Sequence, residues 1–404
     1  MKLVATLTVP DAERIPWETV VIGAGPAGAF LSLLLARKGV RVLLIEKKEF
    51  PREKVCGGCL GPRAVDLLKV AGLHSRLNET PSSTTNRLCL HTARRTAEIA
   101  LPPGLAMQRS RLDAMLVEAA TAGGAAFLPR TNARLRSVAS GLRQIECRQD
   151  GGMPFSLRAK VVIASDGLMN SSLPDEANLQ SRIAPAGRLG MGAVIDQPDD
   201  VSDRLGIHAG VIHMSVSGDG YVGLTRPEPH KVIVAAATDA AFLNRKREPA
   251  QAVAAVLAAA GQQNWAEMAA GRWRTATWQG TPPLTRRLDQ PAAERLFVVG
   301  DAAGYIEPFT GEGITWALTA AEALAPLVVA ARTRWDPRLQ RAWLAYCRDV
   351  VARRQRLCRG FAWFLRSPRL VNAAMRVLSV APGCSAPLVR YWNRSIHLGG
   401  NRSL

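Results

Sequence analysis

The chain has no apolar run approaching the ~18–20 residues of a membrane span, no internal repeat and no low-complexity tract. Its first stretch, MKLVATLTVPDAERIPWE, introduces Pro10 and acids early, unlike the apolar core of a secretory leader. Seven cysteines, odd in number and scattered, do not form a disulfide framework and fit a reducing cytosol. Cys56 and Cys59 make one C-x-x-C with only glycines between them and no second pair, so no metal is expected. Acid is scarce: 33 Asp and Glu against 52 Lys and Arg give a net charge of +19. Such an excess suits an anionic partner, although a basic proteome gives the same balance. At 404 residues and 48% hydrophobic content, the chain can bury a sizeable core in two or more domains.

The strongest pattern is TVVIGAGPAGAFLSLLLARKGVRVLLIEK, residues 19–47. An apolar strand ends at Ile22, and Gly23, Gly25 and Gly28 follow as G-x-G-x-x-G. An apolar helix then runs from residue 27 to about residue 38, closed by Gly39. A second apolar strand, 40–45, ends in Glu46. The first glycine permits the tight turn, the second lets backbone approach a pyrophosphate, and the third lets helix pack on strand. The helix N-terminus offers free N–H groups to phosphate, and an acid about 20 residues on can accept from ribose hydroxyls.

Further along, residues 86–101 read as a short hairpin and 107–124 as a helix capped by Ser110, with Arg109 just before it. Four strands follow, the last ending in Asp166 and Gly167, where a parallel sheet binds ligands. Residues 186–284 change to antiparallel strands with one helical stretch, 249–271, and read as a second domain inserted in the first. An apolar strand at 296–299 then runs into Asp301, a small-residue loop and a helix opened by Gly311 and Gly313. His74 and His91 stand alone in the sequence and read as structural.

The expected fold is α/β: a Rossmann-like dinucleotide domain, an inserted antiparallel β-sheet substrate domain and a helical C-terminal tail. The dinucleotide domain takes residues 1–80, 105–185 and 285–332, the substrate domain 81–104 and 186–284, and the basic helical region 333–404. That last region carries many arginines, no lysine, and only Asp336 and Asp349 as acids. Trp343, Leu344, Leu357, Phe361, Phe364 and Leu365 sit among those arginines. The composition suits peripheral contact with the inner face of a membrane by an otherwise cytoplasmic protein. A helical lid over the second domain explains it equally well. No nucleic-acid module accompanies the basic stretch, and no nucleic-acid partner is expected.

Three motifs together, GAGPAG (23–28), SDG (165–167) and GDAAGYIEPFTGEGI (300–314), resemble the p-hydroxybenzoate hydroxylase-like class of FAD enzymes. Within it, KVCGGCLGPRA (54–64), RSRLD (109–113) and PFTGEGI (308–314) resemble the geranylgeranyl reductase family. The resemblance implies FAD held by Gly23, Gly25, Ala27 and Gly28, with Glu46 and Lys47 toward the adenosine ribose. Arg109, Asp166 and Asp301 would lie near the cofactor, and Gly311, Glu312, Gly313 and Ile314 against the pyrimidine edge of the flavin. A helix N-terminus there favours the charge of reduced flavin. Cys56, on a bending glycine loop, is the candidate catalytic side chain. The family's Y-x-W-x-F-P becomes GYVGLTRP (220–227), which keeps Tyr221 as a substrate contact but puts Gly223 and Thr225 at the aromatic positions. The W-x-W-x-I-P of halogenating relatives is absent, as is a second G-x-G-x-x-G.

These features imply an FAD-dependent oxidoreductase that reduces C=C bonds of a hydrophobic, isoprenoid- or polyketide-like substrate by hydride transfer from reduced flavin. NADPH or another donor would supply the electrons. The alternative is an aromatic monooxygenase acting through a flavin C4a-hydroperoxide. The fold serves both, so the fold does not choose between them. A third reading is a non-catalytic flavin-binding partner.

Overall fold

The computed structural model describes residues 3–173, 179–307, 309 and 311–393. Pro308 and Thr310 of the PFTGEGI stretch, and the tail beyond 393, lie outside the described residues. Two eight-stranded sheets and a three-stranded one organise the chain. In the first, Leu296–Val298, Pro154–Ala164, Trp17–Ile22, Val42–Ile45 and Ala126–Leu128 run parallel in that order. Val20 pairs with Leu43 on one side and Val162 on the other. Strands buried on both faces read as continuous apolar runs, and these do. A hairpin, Thr131–Ala139 and Leu142–Gln149, adds antiparallel to Pro154–Ala164.

The helices Pro26–Ala36, Arg109–Ala122 and Gly313–Thr333 share one apolar core against this sheet. Pro26–Ala36 is buried on nearly every side, and Pro26 opens it after Gly25. The helix at 109 is not capped by Ser110. Gln108 holds the cap position without a side-chain bond, so the first turn already carries Arg109 and spaces it four residues from Asp113. Gly313–Thr333 is, by length and composition alone, apolar enough to cross a membrane. Its Leu318, Ala321, Leu324 and Val328 are fully buried in the core.

The second sheet runs Gln279–Pro283, Leu189–Asp196, Lys231–Thr238, Gly220–Glu228, Val211–Val216, Ser83–Thr92, Arg95–Ala106 and Cys59–Leu60. It is antiparallel except at one seam, where Ser83–Thr92 lies parallel to Val211–Val216 with Leu90 opposite Met214. His91 is not isolated. Its Nε2 lies 3.1 Å from Nδ1 of His213 across that seam, with the edge of Trp265 against both rings. The helical stretch after 249 is two helices, Pro249–Ala259 and Gln263–Ala270, broken at Gly261, whose φ of +77° no helix continues. They cover one face of the sheet.

The tail forms Pro337–Tyr346, Ala352–Phe364, Pro368–Val380 and Ala386–Asn393. Trp343 is 1% exposed, and its indole N–H donates to the Val298 carbonyl at 3.1 Å. It therefore belongs to the first core and has no surface to offer a membrane. Leu365, Val371 and Met375 pack with Met214, Val216 and Tyr221 over the open face of the second sheet.

Candidate active site

The glycine loop separates its three roles in space. A Cβ on Gly23, whose φ is +101°, would fall 2.5 Å from the Ser165 carbonyl oxygen. One on Gly28 would fall 2.0 Å from the Gly23 carbonyl oxygen and 2.4 Å from Ser165 Oγ. One on Gly25 would meet nothing nearer than the guanidinium tips of Arg109 and Arg52, both 3.9 Å away. The outer glycines thus close helix on strand, while the middle one faces open space ringed by cations. Gly25 caps its helix without a side chain, leaving the first N–H groups free. This is the cradle a pyrophosphate requires.

Glu46 ends the second strand inside the fold. Its carboxylate accepts from the Ala24 and Lys48 N–H groups at 3.0 and 3.1 Å and from Arg52 at 3.2 Å. Arg52 also meets Asp113 at 3.2 Å, and Arg109 grips Asp113 through Nε and Nη2 at 3.0 and 2.8 Å. Burial would lower the Arg109 pKa, but Asp113 beside it raises it further. Lys54 lies nearby: burial first, then Arg109 and Arg52, lower its pKa, and Asp301 opposes them. Burial raises the Asp301 pKa, and Lys54 and Arg109 hold it down in part. Arg52, Lys54 and Asp113 were not anticipated. The signals for them were the i, i+4 spacing of Arg109 and Asp113 and the basic stretch directly after Glu46.

Asp166 and Lys47, two further expected cofactor residues, lie outside the wall of the main cavity. The buried Oδ1 of Asp166 has no hydrogen-bond partner, and its Oδ2 carries the bonds. It accepts from the Ser172 N–H at 2.9 Å and the Ser171 hydroxyl at 3.2 Å, leaving Ser165 and Gly167 to line the wall. Burial nevertheless raises its pKa, against those bonds. Lys47 is half-buried at the end of its strand and takes no part in the cavity wall.

Gly25, Ala27, Cys56, Arg109, Tyr221, Asp301 and residues 311–314 converge on one cavity of about 910 Å³, with Gly23, Gly28 and Glu46 behind its wall. It begins at Gly25, Ala27, Arg109 and Asp301 and passes Cys56 and the N-terminus of Gly313–Thr333, with Gly311, Glu312, Gly313 and Ile314 in its wall. It ends among Leu88, Leu90, Met214, Val216, Leu365 and Met375. Cys56 is half-buried at the junction, its Sγ accepting weakly from the Gly58 N–H at 3.4 Å. Cys59 donates to the Gly57 carbonyl, and burial pushes its pKa up to about 12. Thr225 tethers this loop by donating to the Gly57 oxygen at 2.9 Å, so the position that departs from the aromatic motif holds the cysteine loop in place. Glu312, 8% exposed at the cap of the long helix, has its pKa raised to about 7 by burial, with Arg354 partly opposing.

Tyr221 is buried in the wall, its ring edge-on to Phe309 at 5.2 Å, and its hydroxyl has no hydrogen-bond partner. Behind it the fully buried Arg188 pairs with Glu307 at 2.8 Å, an ion pair the motifs did not announce. A second, polar cavity of about 510 Å³ abuts the first, with Lys54, Val55, Cys56 and Arg109 common to both walls and Lys231 and Arg272 beyond.

Comparison with known proteins agrees with this geometry. The family model described as "FAD binding domain" matches residues 17–353. "Conditioned medium factor receptor 1" of Dictyostelium discoideum is 26% identical over 342 residues; the match covers 76% of this chain but only 62% of that protein's length. "Menaquinone reductase" of Mycolicibacterium smegmatis is 25% identical over 388 residues, covering 88% of this chain and 86% of the relative. Among solved structures, PqsL, "a probable FAD-dependent monooxygenase from Pseudomonas aeruginosa", superposes with a TM-score of 0.69 at 18% identity, covering 89% of this chain and 99% of that one. At that identity the likeness speaks for the fold. An open glycine cradle, an acid-paired cation ring beside it and a family match over most of the length lead to one conclusion: the chain belongs to the FAD binding domain family, as an FAD-dependent flavoprotein of the oxidoreductase and monooxygenase class.

Proposed function

We propose that this flavoprotein saturates C=C bonds in a long apolar substrate, as a member of the geranylgeranyl reductase branch of its class. The observation that carries the reading is the continuous cavity, polar where FAD would lie and walled by aliphatic side chains beyond. Gly23, Gly25, Arg52, Arg109 and Glu46 would hold the dinucleotide, and residues 311–314 would meet the flavin ring. When bound there and reduced by an external two-electron donor, FAD would supply hydride chemistry to one alkene carbon. The other carbon needs a proton, and Glu312 is the group placed to give it: a buried carboxyl in the cavity wall that keeps its proton up to about pH 7. The apolar wall excludes water, and the unpartnered Tyr221 hydroxyl awaits a polar atom of the substrate. The donor, NADPH or another, is assigned to the polar cavity behind the loop of Lys54 and Cys56.

The test uses dithionite-reduced holoenzyme with geranylgeraniol and a menaquinone as probes. Without O₂ the product should gain two hydrogens. Gain of one oxygen, and only when O₂ is admitted, would establish the monooxygenase instead. Turnover should fall as pH rises through about 7 and lose that limb in Glu312→Gln. An unchanged pH profile in the variant removes Glu312 from the proton step.

A further inference from the structure

The tail that covers the second sheet has an outer side, and that side is unusual. Of twelve exposed large apolar side chains among the described residues, seven lie between Leu357 and Tyr391. Along Pro368–Val380, Val371, Met375 and Leu378 face the cavity. Leu370, Val377 and Val380, spaced by seven and three residues, share a different face and are 38, 53 and 82% exposed. Trp363, just before this helix, is 69% exposed, and Leu388 and Tyr391 on the next helix are 45 and 50% exposed. A patch this apolar on a monomer surface marks a contact.

The charge around it names the partner. The chain contains no acid after Asp349, yet Arg353, Arg356, Arg359, Arg369, Arg376 and Arg390 follow, all exposed and without an ion pair among the described residues. A cation-only rim around an apolar centre complements an anionic lipid surface, where arginines meet phosphates and the apolar side chains enter the headgroup layer. The cavity adds a separate observation. Val377, Cys384 and Leu388 both line it and are exposed, so it opens through the middle of this patch.

We propose that residues 357–391 dock the protein on the surface of an anionic membrane, with the mouth of the substrate cavity held against the lipid. A water-insoluble substrate then passes from bilayer to cavity without crossing solvent. The proposal does not depend on which reaction the cavity supports. It moves the contact from Trp343, Phe361 and Phe364, which are buried or line the cavity, to side chains outside the cavity wall and at its rim.

Flotation of the full-length holoenzyme with vesicles tests it, using phosphatidylcholine alone and an equal mixture of phosphatidylcholine and phosphatidylglycerol. The protein should float with the anionic vesicles at low salt and be released as salt rises, and it should ignore the neutral ones. Trp363→Glu with Val380→Glu, neither in the cavity wall, should weaken binding at least tenfold while flavin content and melting temperature hold. Failure to float at low salt, or flotation indifferent to the double variant, overturns the proposal. So does sedimentation showing a dimer that the double variant dissociates, since a second copy would then cover the patch.

Discussion

At the Gly25 end of the cavity, the charged side chains are tied to one another. Glu46, Arg52, Asp113 and Arg109 form a chain of ion pairs 2.8–3.2 Å long, closed onto the glycine loop through the Ala24 N–H. At the Met214 end there are few polar atoms, and one that stands in the wall, the Tyr221 hydroxyl, is left without a partner. The first end is organised before its ligand arrives, which lowers the cost of ordering on binding and selects a single molecule. The second end offers area and shape, which discriminates weakly between apolar substrates of similar width. A cofactor needs the first kind of site. A substrate drawn from a set of related lipids needs the second.

The contrast is open to attack at three points. Asp113→Ala should do most damage, because it leaves Arg109 and Arg52 buried beside each other without their shared acid. Losing one partner of a buried pair costs about 3–5 kcal/mol, and urea unfolding should show it. A loss under about 1 kcal/mol would mean that the cation ring is not the rigid part of the cradle. Next come the glycines. Gly28→Ala should cost about 3 kcal/mol in the flavin-free protein, since its Cβ has nowhere to go. Gly25→Ala should leave flavin-free stability within about 0.5 kcal/mol but raise the FAD dissociation constant at least tenfold. Equal melting temperatures for the two variants would erase the division of labour inside the loop. The smallest effect belongs to the apolar end: Tyr221→Phe should leave stability within about 0.5 kcal/mol, because no hydrogen bond is lost. Its kcat/KM for the geranylgeraniol probe should still fall several-fold. A large stability loss with unchanged kinetics would make Tyr221 a packing residue.

The same division explains what the sequence disclosed. The cradle is legible because its geometry is local: strand, turn, helix, strand and acid follow within residues 19–46, and each glycine answers a steric need. Lys54 and Arg52 left only a weak trace, the basic stretch after Glu46, since their meaning depends on Asp113 and Asp301, far along the chain. The cavity wall was less legible. It is assembled from Ser83–Thr92, Val211–Val216 and Pro368–Val380, which nothing in the local pattern brings together. For Asp166 the motif gives the strand end but not the orientation: two local serines hold one carboxylate oxygen, and the other is buried without a partner. The arginine-rich tail was ambiguous because a buried and an exposed aromatic look alike in sequence, and Trp343 and Trp363 turn out to be one of each.

The parallel seam between Ser83–Thr92 and Val211–Val216 bears on how the molecule is made. His91 and His213 meet there across a separation of 122 residues, and between them the chain completes the strand Pro154–Ala164 of the other sheet. The hairpin of Ser83–Thr92 and Arg95–Ala106 must therefore wait, one edge exposed, until the chain has laid down Pro154–Ala164 in the other sheet and returned. Contacts of such separation form late and slow folding. Once formed, they join the early hairpin to the later strands of the second sheet, so that sheet cannot melt as a whole without opening the seam.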